Sequence, residues 1–547
     1  MAFALLASGC YTGLAWDDNS AADPGNSGED NGASADGDEP DEDTAGPAAT
    51  CADMGVDVAF APLARITRLQ YQNSIRDILG VELSLEDELI VDDKAGSFNS
   101  NTLDAASATH VNRYRSAAEF VAAQVIEQHP EQLACDPPPD QGPDQGPEEG
   151  SEEECVTDHA RRLARRFYGR TPSAAQVENL VALFATVRAN ESYEVAMQTM
   201  LEGLLQSPHF LYHVEEGNSD DEVAPLTGPE LARRLATFLW SSAPDEILLD
   251  AAEAGELATA EQVAAQATRM LGDPRADELL AHFHRQWLRL DGSAFMVALP
   301  DESERASVAN ETLAFIDRAL GSGDDDITSM LNSRAAVLDD HTAELYGMPG
   351  ASGDTMLPPG ERSGLLTRAG FLAANGSVTA RGLFVRSQMM CQQIPPPPEG
   401  VSTELPDLGP DATERELLEA HQADPTCAGC HNLFDPIGLG FLNYGHDGAF
   451  HEQDEHGPID NSGQLDEASF NGALELSQML GQMEDVHECL TEQWFNFGLA
   501  RESRSSDQCS IEQAAAEFVS SGPEIETLIV ALTKTDAFRY RRATPQQ

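Results

Sequence analysis

Five consecutive residues, Cys427-Ala428-Gly429-Cys430-His431, have the types and the spacing to hold a porphyrin. C-x-x-C-H is the attachment pattern of c-type haem. Two thiols two residues apart can add to the two vinyl groups on one porphyrin edge. The adjoining His then turns its imidazole toward the iron, and the small Ala428 and Gly429 let the backbone pass close to the ring. Two other chemistries use the same residues. A zinc half-site would need two more ligands, for which His421 and the loop residues His446, His451 and His456 are near in sequence. A redox-active disulfide would want a βαβ setting, and none is legible here. The sequence favours one covalent haem c, with Cys427 and Cys430 as tethers and His431 as proximal iron ligand. The sixth position is open between Met479, Met483 and His421, with Met389 and Met390 also in view. In the stretch from Asn432 to Gly438, a carbonyl or the carboxylate of Asp435 could bond the second imidazole nitrogen and fix its tautomer. The alternative for that stretch is a plain turn.

The elements that must position these residues read as helices. Residues 64–80 put Ile66, Leu69, Ile75, Ile78 and Leu79 on one face and stop at Gly80. Residues 109–128, 158–169, 173–189 and 192–206 are amphipathic. Residues 227–240 open with a Thr227–Glu230 capping box and carry Pro229 in the first turn. Helical patterns continue to Leu290, and segments alternating with period two are scarce. The expected class is all-α, several helical modules in series, with long loops near 92–104, 348–360 and 393–412. The run Pro395–Pro398 reads as a stiff extended spacer.

Composition narrows the function. The chain has 547 residues, 32 Lys+Arg against 94 Asp+Glu, and a formal net charge of −62. Only Lys94 and Lys534 are lysines. A phosphate backbone is bound by cations that displace counterions, so nucleic acid is excluded as a partner. An electrostatic grip on anionic lipid is excluded likewise. No apolar run reaches the ~18 residues of a membrane span. Acidity is concentrated in residues 11–50, with eleven acids and no base, and in 136–154, with eight acids and no base. Such stretches bury little apolar area and read as a disordered tether and an acidic, Pro-rich loop. A strongly acidic folded surface is ordinarily solvation; its functional reading is steering of a basic redox partner.

The chain opens MAFALLASGC, where Leu6 to Cys10 resembles a lipobox with Cys10 as the lipidated residue. The segment is short and lacks a basic start. Anchor plus tether predicts an extracytoplasmic, lipid-anchored protein of a bacterial envelope, touching the membrane only through the lipid. Setting aside Cys10, Cys427 and Cys430 leaves six of nine cysteines, an even number that suits disulfides in an oxidising compartment. Cys135–Cys155 is the first pairing expected, because it closes the acidic loop. Cys489–Cys509 is the second.

Other constellations have plain readings. Trp240 and Trp287 lie on amphipathic helices and read as core. His209/His213 and His282/His284 lack a third ligand in reach. There is no G-x-S-x-G, H-E-x-x-H, P-loop or G-x-G-x-x-G, so hydrolase and nucleotide chemistry lack a local warrant.

With these motifs in hand, the chain resembles a family of cytochrome c-like surface proteins of planctomycetes and myxobacteria. The family is built from serial domains of unknown function (DUF1587, DUF1595, DUF1592, DUF1588 and DUF1585). The resemblance rests on RITRLQYQNSIRDILG (65–80), ARRLARRFYGRTPSAAQ (160–176), and LLQSPHFLYHVE (204–215) with LARRLATFLWSSAPDEILLDAA (231–252). It continues through RGLFVRSQMMCQQIPPPP (381–398), ATERELLEAH (412–421) and CAGCHNLFDPIGLGFLNYGHDGAF (427–450). It ends with CSIEQAAAEFVSSGPEIETLIVALTKTDAFRYR (509–541). The usual form has Glu and Phe-Asp where Asn443, Tyr444 and His446 stand. The resemblance implies an exported, surface-associated protein with one c-type haem on Cys427, Cys430 and His431.

The expected organisation is lipobox 1–10, tether 11–50, an N-terminal helical module 51–135, the acidic loop 136–154, and a second module 155–222. A central module 223–347, a cytochrome c-like module 348–505 and a C-terminal module 506–547 follow. The expected function is single-electron transfer or haem-dependent oxidoreduction at the cell surface; whether the chain is an enzyme stays open. The alternative is a surface binding or scaffold protein, for example for polysaccharide, motivated by the large helical region ahead of the motif. A di-haem peroxidase would need a second C-x-x-C-H, and the sequence has one.

Overall fold

The computed structural model describes residues 51, 55–102, 106–135, 149–320, 326–395, 408–409, 411–423 and 425–543. The lipobox with Cys10, the tether, most of the acidic loop and Pro396–Pro398 lie outside the described residues. The rest is mostly helical, as the patterning predicts.

Helix formation follows local chemistry. Thr67 accepts from the Gln70 N–H while the Gln70 side chain accepts from the Thr67 N–H, and the helix Arg68–Leu79 ends at Gly80 with φ 69°. The capping box at Thr227 and Glu230 starts the helix Gly228–Trp240 in the same way. The helix Glu149–Tyr168 begins nine residues ahead of the expected 158, inside the supposed loop. Acidic residues suit the positive end of a helix, so the run Glu152–Glu154 favours an early start where composition alone suggests disorder.

The helices gather around two large cores. The first holds side chains from Ile66 to Leu211, including Tyr71, Phe167 and Phe210. The second takes in Val58 and Phe98, then runs from Leu226 to Phe538 and contains Trp240, Phe283, Trp287 and Trp494. Each body is closed by a short antiparallel strand pair joining its two ends. Ala64–Arg65 pairs with Tyr212–His213, and Val223–Pro225 pairs with Tyr540–Arg542. The three later sequence modules therefore share one core.

Several features bind the bodies together, among them Arg233, which donates to the Phe167 carbonyl at 3.1 Å and the His209 carbonyl at 2.7 Å. A hairpin, Lys94–Ala95 with Phe98–Asn99, turns at Gly96 and inserts Phe98 into the second core, 5.3 Å from the Phe283 ring. Arg165 of the first body bonds Asp250 at 2.6 Å and Glu253 at 3.1 Å, and also reaches Glu246. Ser242 donates to Asp77 at 2.7 Å. Two of the expected loops thus contain strands: 92–104 carries this hairpin, and in 348–360 Gly353–Met356 pairs with Ala335–Leu338. Strands this short leave no period-two signal to read.

Cys135–Cys155 forms as expected. The pairing Cys489–Cys509 does not. Cys489 is buried on the helix Glu484–Leu499 and joins Cys391, while Cys509 joins Cys51. Twenty residues of sequence separate Cys489 from Cys509, but they lie on successive helices, Glu484–Leu499 and Gln508–Ser520, and each meets a partner from far along the chain.

Candidate functional site

The motif sits on a helix, Pro425–Gly438, and its placement depends on two glycines. Gly382, on the helix Val378–Phe384, lies so near that a Cβ there would stand 2.0 Å from the Phe434 carbonyl oxygen. A Cβ on Gly438 would stand 2.2 Å from the Val378 carbonyl oxygen. The two helices therefore touch backbone to backbone, which only glycine allows at both points. On the other side packs the helix Glu414–Gln422, opened by a Thr413–Glu416 capping box. Val378, Leu418 and Leu439 form a small core between these elements.

Two buried arginines hold the surroundings. Arg386 donates from Nε to the Leu433 carbonyl at 2.8 Å and from its guanidinium to Asp466 at 2.7 Å. Arg381 donates to the carbonyls of Asn375, Leu372, Tyr444 and Gly445, fixing the turn after the motif helix. Burial pushes the Arg381 guanidinium down to about 10, so it stays charged at neutral pH, solvated by carbonyl dipoles. Neither clamp has a local sign in the sequence, because the Leu433, Tyr444 and Gly445 carbonyls they hold are distant along the chain.

His431 carries the chemistry. Its Nδ1 lies 2.8 Å from Oδ2 of Asp435, one turn on, and Asp435 is fully buried. A carboxylate is an acceptor, so the arrangement places the ring proton on Nδ1 and leaves the Nε2 lone pair for a metal. The carboxylate alternative for this stretch is the one observed, and the plain turn is replaced by a continuous helix with Pro436 inside it. The ring packs against Phe434 at 4.9 Å and against buried His421 at 4.5 Å. Two imidazoles on opposite sides of one iron would have centroids about 6 Å apart, given metal–nitrogen bonds of about 2 Å. The observed spacing leaves no room for iron between these two rings.

Cys427 and Cys430 are half-buried and lie outside the three disulfides. Gly429 has nothing within 4 Å of its Cβ position, and Leu433 is exposed beside the thiols. An open, partly apolar face next to two thiols suits a flat macrocycle. The donor set suits zinc poorly. Among the described residues, the one place where three His, Cys or acidic ligand atoms converge is Cys135, Cys155 and His159, where both sulfurs are already bonded to each other. The thiols and imidazoles of the motif do not converge as a tetrahedral site requires.

The methionine candidates are held in packed positions. Met479 lies in the last turn of the helix Gly472–Leu480 and Met483 caps the next one; both pack on the large core, and Gly481 between them faces Leu331 and Asn332. Met389 and Met390 are buried, the latter bonded through sulfur to Arg386. Trp240 and Trp287 are core residues, as expected. His284 is buried with Nδ1 on the Leu280 carbonyl, and His451 exchanges backbone and side-chain bonds with Asn443.

Family models match the chain in five consecutive stretches, each described as a protein of unknown function. They are DUF1587 over residues 64–127, DUF1595 over 155–215, DUF1592 over 226–348, DUF1588 over 362–454 and DUF1585 over 466–538. The chain belongs to the family built of these five domains in series. The DUF1588 stretch, named PSCyt3, contains the entire C-x-x-C-H helix and both arginine clamps. The two-core arrangement divides the family's domains: DUF1587 and DUF1595 build the first body, and the other three build the second. No curated protein and no solved structure matches the chain.

Proposed function

We propose that the chain is an exported c-type monohaem protein that carries single electrons, or uses its haem in oxidoreduction, at a bacterial cell surface. The observation that carries the reading is the pairing of His431 with buried Asp435 on the same helix as two thiols that take no part in the three disulfides of the described residues. Cys427 and Cys430 would hold the porphyrin edge, and His431 would ligate iron through Nε2. The haem, when bound, supplies a one-electron couple. Asp435 holds the imidazole in one tautomer and one orientation, and its negative charge makes the ring a stronger donor. The buried helix contacts keep water from the Nδ1 side. Three disulfides support an oxidising compartment, in which c-type attachment also takes place. Lipidation of Cys10 would tie the protein to the envelope, and its acidic surface would steer a basic partner.

The test is a pyridine haemochrome spectrum with a haem-stained denaturing gel, on protein exported alongside a c-type maturation system. One covalent haem per chain is expected. Its absence, with control cytochromes matured in the same cells, overturns the reading.

A further inference from the structure

The helix Val378–Phe384 runs on into a single π-helical turn, Val385–Met389, and the chain reverses at Cys391, whose φ is 51°. Single π-turns inside helices are frequent at functional sites. Here the reversal folds back over the turn. The Met390 N–H bonds the Val385 carbonyl, and the Gln392 N–H bonds the Arg386 carbonyl. Cys391 is joined to Cys489, a buried residue of the helix Glu484–Leu499. One turn further along that helix, the Gln493 amide donates to the Cys391 sulfur at 3.5 Å.

The two residues that flank Cys391 hold the Arg386 side chain. Gln392 Oε1 accepts from its guanidinium at 3.0 Å, and the Met390 sulfur lies 3.9 Å from the same nitrogen. Asp466 takes the other terminal nitrogen at 2.7 Å. A planar guanidinium gripped at both ends cannot rotate, so the direction of its Nε–H is fixed. That N–H meets the Leu433 carbonyl at 2.8 Å, on the motif helix two residues past His431. Pro436 removes one backbone donor from this stretch of the helix, and the Arg386 N–H is a side-chain donor supplied beside it.

We propose that the Cys391–Cys489 disulfide positions the haem ligand through Arg386. The bridge fixes the reversal at residues 390–392, the reversal orients the guanidinium, and the guanidinium holds the helical turn that carries His431 and Asp435. The consequence for iron rests on the haem reading; the coupling itself belongs to the haem-free chain. It sets this bridge apart from Cys135–Cys155, where Cys135 packs on the first core. Such a chain of contacts is a physical link only if its members act on one another, which a mutant cycle measures.

Hydrogen exchange of the full-length, haem-free protein is followed by mass spectrometry at pH 7. Cys391→Ser/Cys489→Ser is expected to speed exchange in residues 427–438 about tenfold, the change that loss of one hydrogen bond to a charged group produces. Cys135→Ser/Cys155→Ser is expected to leave those amides within about twofold of wild type. Arg386→Gln is expected to match the tenfold rise, and adding it to Cys391→Ser/Cys489→Ser to raise exchange by less than about twofold more. Multiplied effects, or no change in 427–438, overturn the proposal. An equal rise in the helix Ile525–Lys534 of the same body marks general loosening and overturns it too. If the cysteine variant fails to fold, Gln392→Ala, which keeps the bridge, decides by the same amides: faster exchange there supports the link and unchanged exchange overturns it. In haem-loaded protein, Arg386→Gln is expected to raise the midpoint potential, and an unchanged potential overturns the positioning of the ligand. Failure to load haem bears on the haem reading alone, because exchange reads the coupling without it.

Discussion

Nδ1 of His431 and Oδ2 of Asp435 stand 2.8 Å apart, with the carboxylate fully buried. A charge-assisted bond of this type is about twice as strong as a neutral one, a difference of about 1–2 kcal/mol. Asp435→Asn can keep a hydrogen bond to the ring but removes the charge. In haem-loaded protein the midpoint potential should rise by about 40–90 mV, the one-electron equivalent of that energy. Potentiometric titration checks it, and an unchanged potential would remove Asp435 from any electronic role.

The glycine contact makes a sharp contrast available. Gly382→Ala and Gly438→Ala each drive a Cβ into backbone atoms, and overpacking of that kind costs about 3 kcal/mol. Gly429→Ala meets open space on the same helix and should be neutral or stabilising by up to about 1 kcal/mol. Denaturant unfolding of the haem-free protein compares the three. Similar stabilities for all of them would show that the helices do not touch as described.

A pH effect follows from His284. Burial pushes it down to about 4, below the ordinary 6.5 of an unfolded chain. The unfolded state then binds more protons between those values, so its stabilising contribution is complete above pH 6.5 and is lost as pH falls toward 4. At pH 5 the loss is on the order of 2 kcal/mol. Urea midpoints at pH 7 and pH 5 measure it, and His284→Leu should shrink the difference. A variant with the full wild-type drop would place the acid sensitivity elsewhere.

Glu311 and Arg368 form an ion pair at 3.0 Å with both side chains buried, and Tyr346 donates to the same carboxylate at 2.8 Å. Glu311→Ala leaves a buried guanidinium uncompensated and should destabilise the second body by about 3–5 kcal/mol. Thermal unfolding followed by near-ultraviolet circular dichroism, which reports Trp287 and Trp494, reads that body directly.

Much of this was legible in the residues. The capping box at Thr227 marks a helix start, because side-chain and backbone partners lie three residues apart; the helix expected from residue 64 instead starts at Arg68, behind its Thr67 cap, because Ala64–Arg65 is drawn into a strand with Tyr212–His213. The site itself was legible for the same reason: Cys427, Cys430, His431 and Asp435 lie within nine residues on one helix. What was hidden depends on distance along the chain. Cys51 and Cys509 meet across 458 residues, and Arg386 reaches Leu433 from another helix. Nothing local in Gly382 announces the carbonyl pressed against it.

The Cys51–Cys509 bridge has a mechanical consequence. Tension applied between residue 51 and the C-terminal end crosses through the two sulfurs and enters the helix Gln508–Ser520 directly. The whole first body, strung inside the closed loop, lies off the load path. Its closing strand pair, only two residues deep, is never asked to bear force. Reduction of that one bond would reroute the pull through Ala64 and Arg65, and the first body would become the part that yields.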